Sequence, residues 1–230
     1  MPSISVRPNN HREASTRCDP DVGNYVQEIG NKLAGVSDRD LPYEFVVIND
    51  STPNAWALPG GKIAINRGLL TKLDSEAELA AVLGHEVVHA AARHGAQAMQ
   101  RGMLLQGALL AATIGATSSD SEYANYIVGG AQLGAQLISQ RYSRDAELEA
   151  DYYGMQYMKR AGYNPEAAVS LQETFVELSK DRKTNWLQGL FASHPPSTAR
   201  VEANRETLRA LGPSGEIDEA LLPQIAQPSV

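Results

Sequence analysis

The chain is short of several things at once, and each shortage excludes a class of protein. It has one cysteine, Cys18, in 230 residues, so no internal disulfide framework holds it together. It has no surplus of positive charge: 20 Lys and Arg stand against 27 Asp and Glu, a formal net charge of −7. A nucleic-acid binder normally carries a basic patch, and this balance argues against one. No run of about 18 apolar residues occurs, so no transmembrane helix is predicted. The opening MPSISVRPNNHREAST is polar and lacks the apolar core of a secretory leader. Thr16 and Arg17 before Cys18 do not fit a lipoprotein site. Histidine is scarce too, with five residues, yet two of them stand four apart.

Those two belong to His85-Glu86-Val87-Val88-His89, the HExxH pattern of zinc peptidases. On a helix, residues four apart share a face, so His85 and His89 can grip one metal ion. Glu86 projects beside them, where a carboxylate can take the proton of a water attacking a peptide carbonyl. The surroundings predict a helix. Ser75 and Glu78 have capping-box spacing, with Asp74 as an alternative cap. Leu79, Val82, Leu83, Val87 and Ala90 then make an apolar stripe, and Gly95 is a possible stop.

Peptidase zinc sites usually have three protein ligands and one open position. Cys18 lies in the polar N-terminal segment, and His94, five residues after His89, is turned off the ligand face. The stretch Arg144 to Asp151 offers two i,i+4 carboxylate pairs, Asp145 with Glu149 and Glu147 with Asp151. The second pair continues into Gly154 and Met158, a surface suited to packing. The first continues into Tyr152 and Gln156, which reads as a solvated face. This favours Glu147 as third ligand, with Asp151 accepting the second ring N–H of a ligating His. An exposed acidic helix is the plain alternative.

The remaining pattern gives the architecture. Val22, Val26, Ile29 and Leu33 mark an amphipathic helix. Tyr43 to Ile48 and Lys62 to Asn66 read as strands, separated by the turn Leu58-Pro59-Gly60-Gly61. From Ser75 onward nearly everything is helical. The expected fold class is α+β and mostly helical, with a small antiparallel sheet packed on the HExxH helix. Residues 1–18 are expected to be disordered, 19–211 to form one metallopeptidase domain, and 212–230 to be a tail. Gly102 to Ala116 and Ile127 to Ile138 are apolar and rich in Gly and Ala. They read as a helical hairpin packed on the core, with peripheral membrane contact through 102–138 as the alternative.

HEVVHAAARHG followed by SRDAELEADYYG resembles the HtpX-like and CAAX prenyl endopeptidase family of zinc metallopeptidases. In these gluzincins HExxH is completed by the Glu of an ExxxD motif, here Glu147-Leu148-Glu149-Ala150-Asp151. The resemblance therefore selects Glu147 with Asp151. Asn54-Ala55-Trp56-Ala57-Leu58-Pro59-Gly60-Gly61-Lys62-Ile63 is similar to the family's segment at its active-site edge strand. Ser193-His194-Pro195-Pro196 followed by Arg200 is similar to its C-terminal His-Pro element. The matches cover roughly Tyr43 to Arg205 and are closest to the soluble, periplasmic quality-control branch.

The resemblance implies a zincin-like fold and one Zn2+ held by His85, His89 and Glu147, with Glu86 as general base. It implies extended or misfolded polypeptide substrates, with Lys62 to Asn66 as the edge to which they add. His194 either stabilises the developing oxyanion or plugs the metal site in a latent form. Arg200 anchors the His194 loop to a carboxylate. An extracytoplasmic location follows from the branch, with a leader absent from this sequence; a cytoplasmic protein is the alternative. The rival functions are a chaperone-like client binder with an occluded zinc site and a structural zinc module. Glu86 argues against the last, since a structural site needs no base.

Overall fold

The computed structural model describes residues 19–104, 142–180 and 187–212. The expected N-terminal segment, most of the Gly- and Ala-rich hairpin and nearly all of the C-terminal tail lie outside the described residues. Helix α1 (Pro20–Ala34) begins with Asp19 capping the Asp21 N–H and proline in its first turn, where a missing N–H costs nothing. Val26, Ile29 and Leu33 are buried, while Val22 stays at the surface.

Three strands follow: β1 (Glu44–Ile48), β2 (Ala55–Leu58) and β3 (Lys62–Asn66). The sheet order is β1-β3-β2, with β1 parallel and β2 antiparallel to β3. The expectation of a purely antiparallel sheet is thus corrected. β2 is the return leg between β1 and β3, so β3 runs in the direction of β1. The expectation that Lys62–Asn66 is the edge is corrected too, because β3 is central and β2 is one edge. A sign of this stands in the sequence. Ile63-Ala64-Ile65 is apolar without alternation and all three are buried, as suits a strand covered on both faces. The β2–β3 turn uses Gly60 and Gly61 at φ 92° and 89°, conformations cheap only for glycine.

The helices are α2 (Arg67–Leu70), α3 (Glu76–Ala91), α4 (helical over 94–104), α5 (Arg144–Arg160), α6 (Glu166–Lys180), α7 (Gln188–Ser193) and α8 (Thr198–Leu211). α3 carries the HExxH sequence and runs through the core. Ser75 Oγ accepts from the Glu78 N–H at 3.2 Å, and Glu78 Oε2 accepts from the Asp74 N–H at 2.7 Å. The Glu reaches one residue further back than in a standard capping box. Leu79, Ala80, Leu83, Val87, Val88 and Ala90 are all buried, so α3 is enclosed on most sides rather than striped. Each large apolar side chain buried here contributes about 1.5–3 kcal/mol. The helix stops at Ala91, not at Gly95. Arg93, at φ 60°, turns the chain, and Gly95 lies inside α4.

α3 and α5 cross at two glycines. A Cβ on Gly154 would lie 3.1 Å from the His85 backbone nitrogen, and one on Gly84 would lie 3.2 Å from the Gly154 carbonyl oxygen. This close approach brings the acidic face of α5 onto the histidine face of α3. On α5, Gly154 and Met158 are buried as expected, but so are Tyr152 and Gln156. The face expected to be solvated is exposed only around Asp145, with Glu149 half-buried.

Candidate metal centre

Two turns of α3, one face of α5 and the loop after α7 converge on one point. His85 and His89 come from α3 with their Nε2 atoms 3.0 Å apart. Glu147 comes from the first turn of α5, which Ser143 caps through the Ala146 N–H. Its Oε1 lies 3.3 Å from His89 Nε2 and its Oε2 3.6 Å from His85 Nε2. His194 follows α7, with Nδ1 3.2 Å from His85 Nε2 and 3.1 Å from Glu147 Oε1. These four residues are the group among the described residues able to hold a metal ion. Zinc–nitrogen and zinc–oxygen bonds near 2.0–2.1 Å make a tetrahedron with edges of about 3.3 Å. The donor spacings bracket that edge, and a neutral-imidazole and carboxylate set suits zinc. The residues present therefore fit the ion.

Glu86 is buried beside this group. Its Oε1 lies 3.4 Å from His194 Nε2, and the Ala57 N–H of β2 donates to the carboxylate. Its Oε2 has no hydrogen-bond partner among the described residues. A buried carboxylate oxygen left unpaired costs stability. Burial pushes the Glu86 carboxyl up, against the opposing pull of His194 and His85.

The supporting contacts form two groups. On one side His85 Nδ1 lies 2.9 Å from Asp151 Oδ1. Arg200 grips both Asp151 oxygens at 2.7 Å, reaches Glu147 Oε2 at 2.7 Å and donates to the Pro195 carbonyl at 3.3 Å. It thereby ties the His194 loop to α5. On the other side His89 Nδ1 lies 2.8 Å from His94 Nδ1, and His94 Nε2 lies 3.3 Å from Glu149 Oε2. Tyr142 stacks on the His89 ring at 3.9 Å.

Sequence reasoning missed His94, Glu149 and Tyr142. The helical-face argument that dismissed His94 assumed α3 runs on, whereas the turn at Arg93 folds His94 back toward His89.

Burial alone would lower His85, but Asp151 and Glu147 outweigh it and push the imidazole up to about 10. Burial holds His89 well below its usual value, with Glu147 opposing, and likewise lowers His94 against Glu149. Burial works against ionising Glu147, yet His194 and His85 hold it well below the carboxylate range. Asp151 is similarly lowered, because Arg200 and His85 overcome its burial.

Comparison with known proteins agrees with this geometry. The family model described as Peptidase family M48 matches residues 20–208. The chain is similar to the mitochondrial metalloendopeptidase OMA1 of Schizosaccharomyces pombe, at 36% identity over 80% of this chain and 52% of that protein. It is similar to metalloprotease YcaL of Escherichia coli, at 32% identity over 80% of this chain and 67% of the relative. It is also 28% identical to the beta-barrel assembly-enhancing protease of Yersinia pestis, over 85% of this chain and 40% of that protein. The chain thus spans between two fifths and two thirds of these relatives. With HExxH on α3 and a metal-binding group completed from α5, the chain belongs to peptidase family M48, a family of zinc-dependent metallopeptidases.

Proposed function

We propose that this chain is a zinc metalloendopeptidase held at rest in a closed form, and that it cuts extended stretches of misfolded polypeptide. His85, His89 and Glu147 would hold the zinc. Bound there, the ion supplies a Lewis acid that polarises the scissile carbonyl and makes water a stronger acid. Glu86 takes the proton of the attacking water and returns it to the leaving amine nitrogen. Burial raises its carboxyl, the direction that helps a carboxylate give a proton back as well as take one. Asp151 orients His85, and Arg200 keeps Asp151 ionised.

The observation that carries the closed form is the place of His194. Its Nδ1 stands at the fourth corner of the donor set, and its Nε2 faces Glu86. That position blocks both the water and the base. An oxyanion donor would instead stand off from the metal corner, so the plug is the better reading of this residue.

Substrate would add to β2, not to β3. β2 pairs with β3 on one side only, and a cleft at its Ala55 end is lined by Ala55, Val82, Leu171, Phe175 and Leu190 together with His85 and Glu86. Main-chain pairing to such an edge holds a peptide whatever its sequence, and an apolar cleft favours the residues that misfolded proteins expose. The relative named for β-barrel assembly supports a place in the quality-control branch. The same likeness supports an extracytoplasmic location, while another relative is named as mitochondrial.

The test is cleavage of casein by zinc-loaded His194→Ala, in which the site is open, and by the same protein carrying Glu86→Gln. The double variant is expected to lose at least about a hundredfold in rate, the usual worth of a positioned acid–base group. Equal cleavage by both would overturn the assignment of Glu86. Zinc-loaded protein that binds casein without cutting it, even after His194→Ala, would favour the client-binding alternative.

A further inference from the structure

His94 is only 5% exposed and lies between a metal-site histidine and a carboxylate. We propose that His94 is the positioning residue of His89: its Nδ1 accepts the His89 Nδ1–H and so presents His89 Nε2 unprotonated to the zinc. This inference rests on the zinc-peptidase reading of the same site.

The proton positions follow link by link. His89 Nε2 faces the donor group, 3.0 Å from His85 Nε2 and 3.3 Å from Glu147 Oε1. A ligating nitrogen needs its lone pair, so the single proton of neutral His89 sits on Nδ1. The partner of that nitrogen is His94 Nδ1 at 2.8 Å. A contact of this length between two ring nitrogens is attractive only if one has a proton and the other a lone pair. His94 Nδ1 is then the acceptor, and the His94 proton sits on Nε2. That nitrogen points to Glu149 Oε2 at 3.3 Å, a carboxylate that can only accept when ionised. Every link is therefore fixed by the one before it. Reversing one proton would set two N–H groups, or two lone pairs, against each other.

The two α3 histidines are thus held by different means. His85 meets a carboxylate directly, Asp151 at 2.9 Å. His89 meets a neutral imidazole whose own proton goes outward to half-exposed Glu149. The site already holds three carboxylates of low exposure, Glu86, Glu147 and Asp151. An imidazole relay fixes the His89 tautomer without adding a fourth carboxylate to that set. Partners of this kind usually account for 10–100-fold in metal affinity. The turn at Arg93, with its positive φ, is the backbone feature that lets His94 reach back.

Two amide substitutions separate the two nitrogens of His94. Asn places an acceptor where Nδ1 stands, whereas Gln places its amide nearer the Nε2 position and leaves His89 Nδ1–H unpaired. Zinc affinity is measured by competition with a chelator, starting from metal-free full chain. His94→Gln and His94→Ala are expected to weaken zinc binding 10–100-fold, with His94→Asn within about threefold of the unaltered chain. Long-range proton–nitrogen NMR of the zinc-loaded unaltered chain is expected to find His94 protonated on Nε2, a readout independent of whether any variant folds. A His94 protonated on Nδ1 would overturn the inference. So would His94→Gln binding zinc as tightly as the unaltered chain, or Asn and Gln lowering the melting temperature alike without moving zinc affinity. An unaltered chain that binds no zinc would overturn both this inference and the zinc-peptidase reading.

Discussion

At the scale of single residues, the metal site is a competition between protons and zinc. In the metal-free fold His85 is pushed up to about 10 by Asp151 and Glu147, against its burial. It is therefore protonated at pH 7.5, while coordination needs its Nε2 bare. Zinc binding at that pH is expected to release about one proton from this residue. Calorimetric titration in two buffers of different ionisation enthalpy should give binding enthalpies that differ accordingly. Identical enthalpies in both buffers would contradict it. The sign for stability is the same: the folded value is raised above 6.5, so the His85 contribution to the metal-free fold is present below pH 6.5. It fades as pH rises toward 10. His85, Glu86 and His89 were legible in the sequence because helical spacing alone places them together. Glu147 was singled out by the ExxxD resemblance and not by its face alone, because Tyr152 and Gln156 on the other face are buried as well. His94 was not legible, since its position depends on one backbone dihedral at Arg93 that no periodicity encodes.

At the scale of elements, the site depends on how closely α3 and α5 approach. Gly84 and Gly154 set that distance, and a methyl group at Gly154 would press on the His85 backbone nitrogen. Gly154→Ala is expected to cost about 1–3 kcal/mol, as overpacking usually does, and to weaken zinc binding because Glu147 rides on the displaced helix. Thermal unfolding and chelator competition check the two effects, and a variant unchanged in both would show that the crossing has slack. The helices themselves were legible from caps and apolar spacing: α3 begins at the cap expected of Ser75, and Lys62–Asn66 is a strand over the expected residues. The sheet order was not legible. Strand propensity identifies strands but not neighbours, and the short β2 between two stronger strands turned an apparent hairpin into a mixed sheet with β3 at its centre. That difference matters for function, since it moves the free edge from β3 to β2, beside Glu86.

At the scale of the whole molecule, one hydrophobic core surrounds α3, drawing on α1, the sheet, α5 and residues of α6 and α7. The metal site lies against this core, so its occupancy is expected to report on global stability. A ligand that binds only the folded state adds about 2.7 kcal/mol at a hundredfold excess over its Kd. For a chain of this size that corresponds to a rise in melting temperature of about 5–10 °C. Equal melting temperatures with zinc and with a chelator would contradict a site that zinc occupies in the folded protein. Among the described residues no helix is long and apolar enough to cross a membrane. The proposed membrane contact through 102–138 falls almost wholly outside the described residues.

The central claim is a peptidase site closed by its own histidine, and the most direct measurement is the rate of casein cleavage by the zinc-loaded chain and by His194→Ala. The closed form requires the variant to cut faster, because the fourth corner and Glu86 are both freed. A slower variant that still binds one zinc would contradict the plug and make His194 a donor to the transition state.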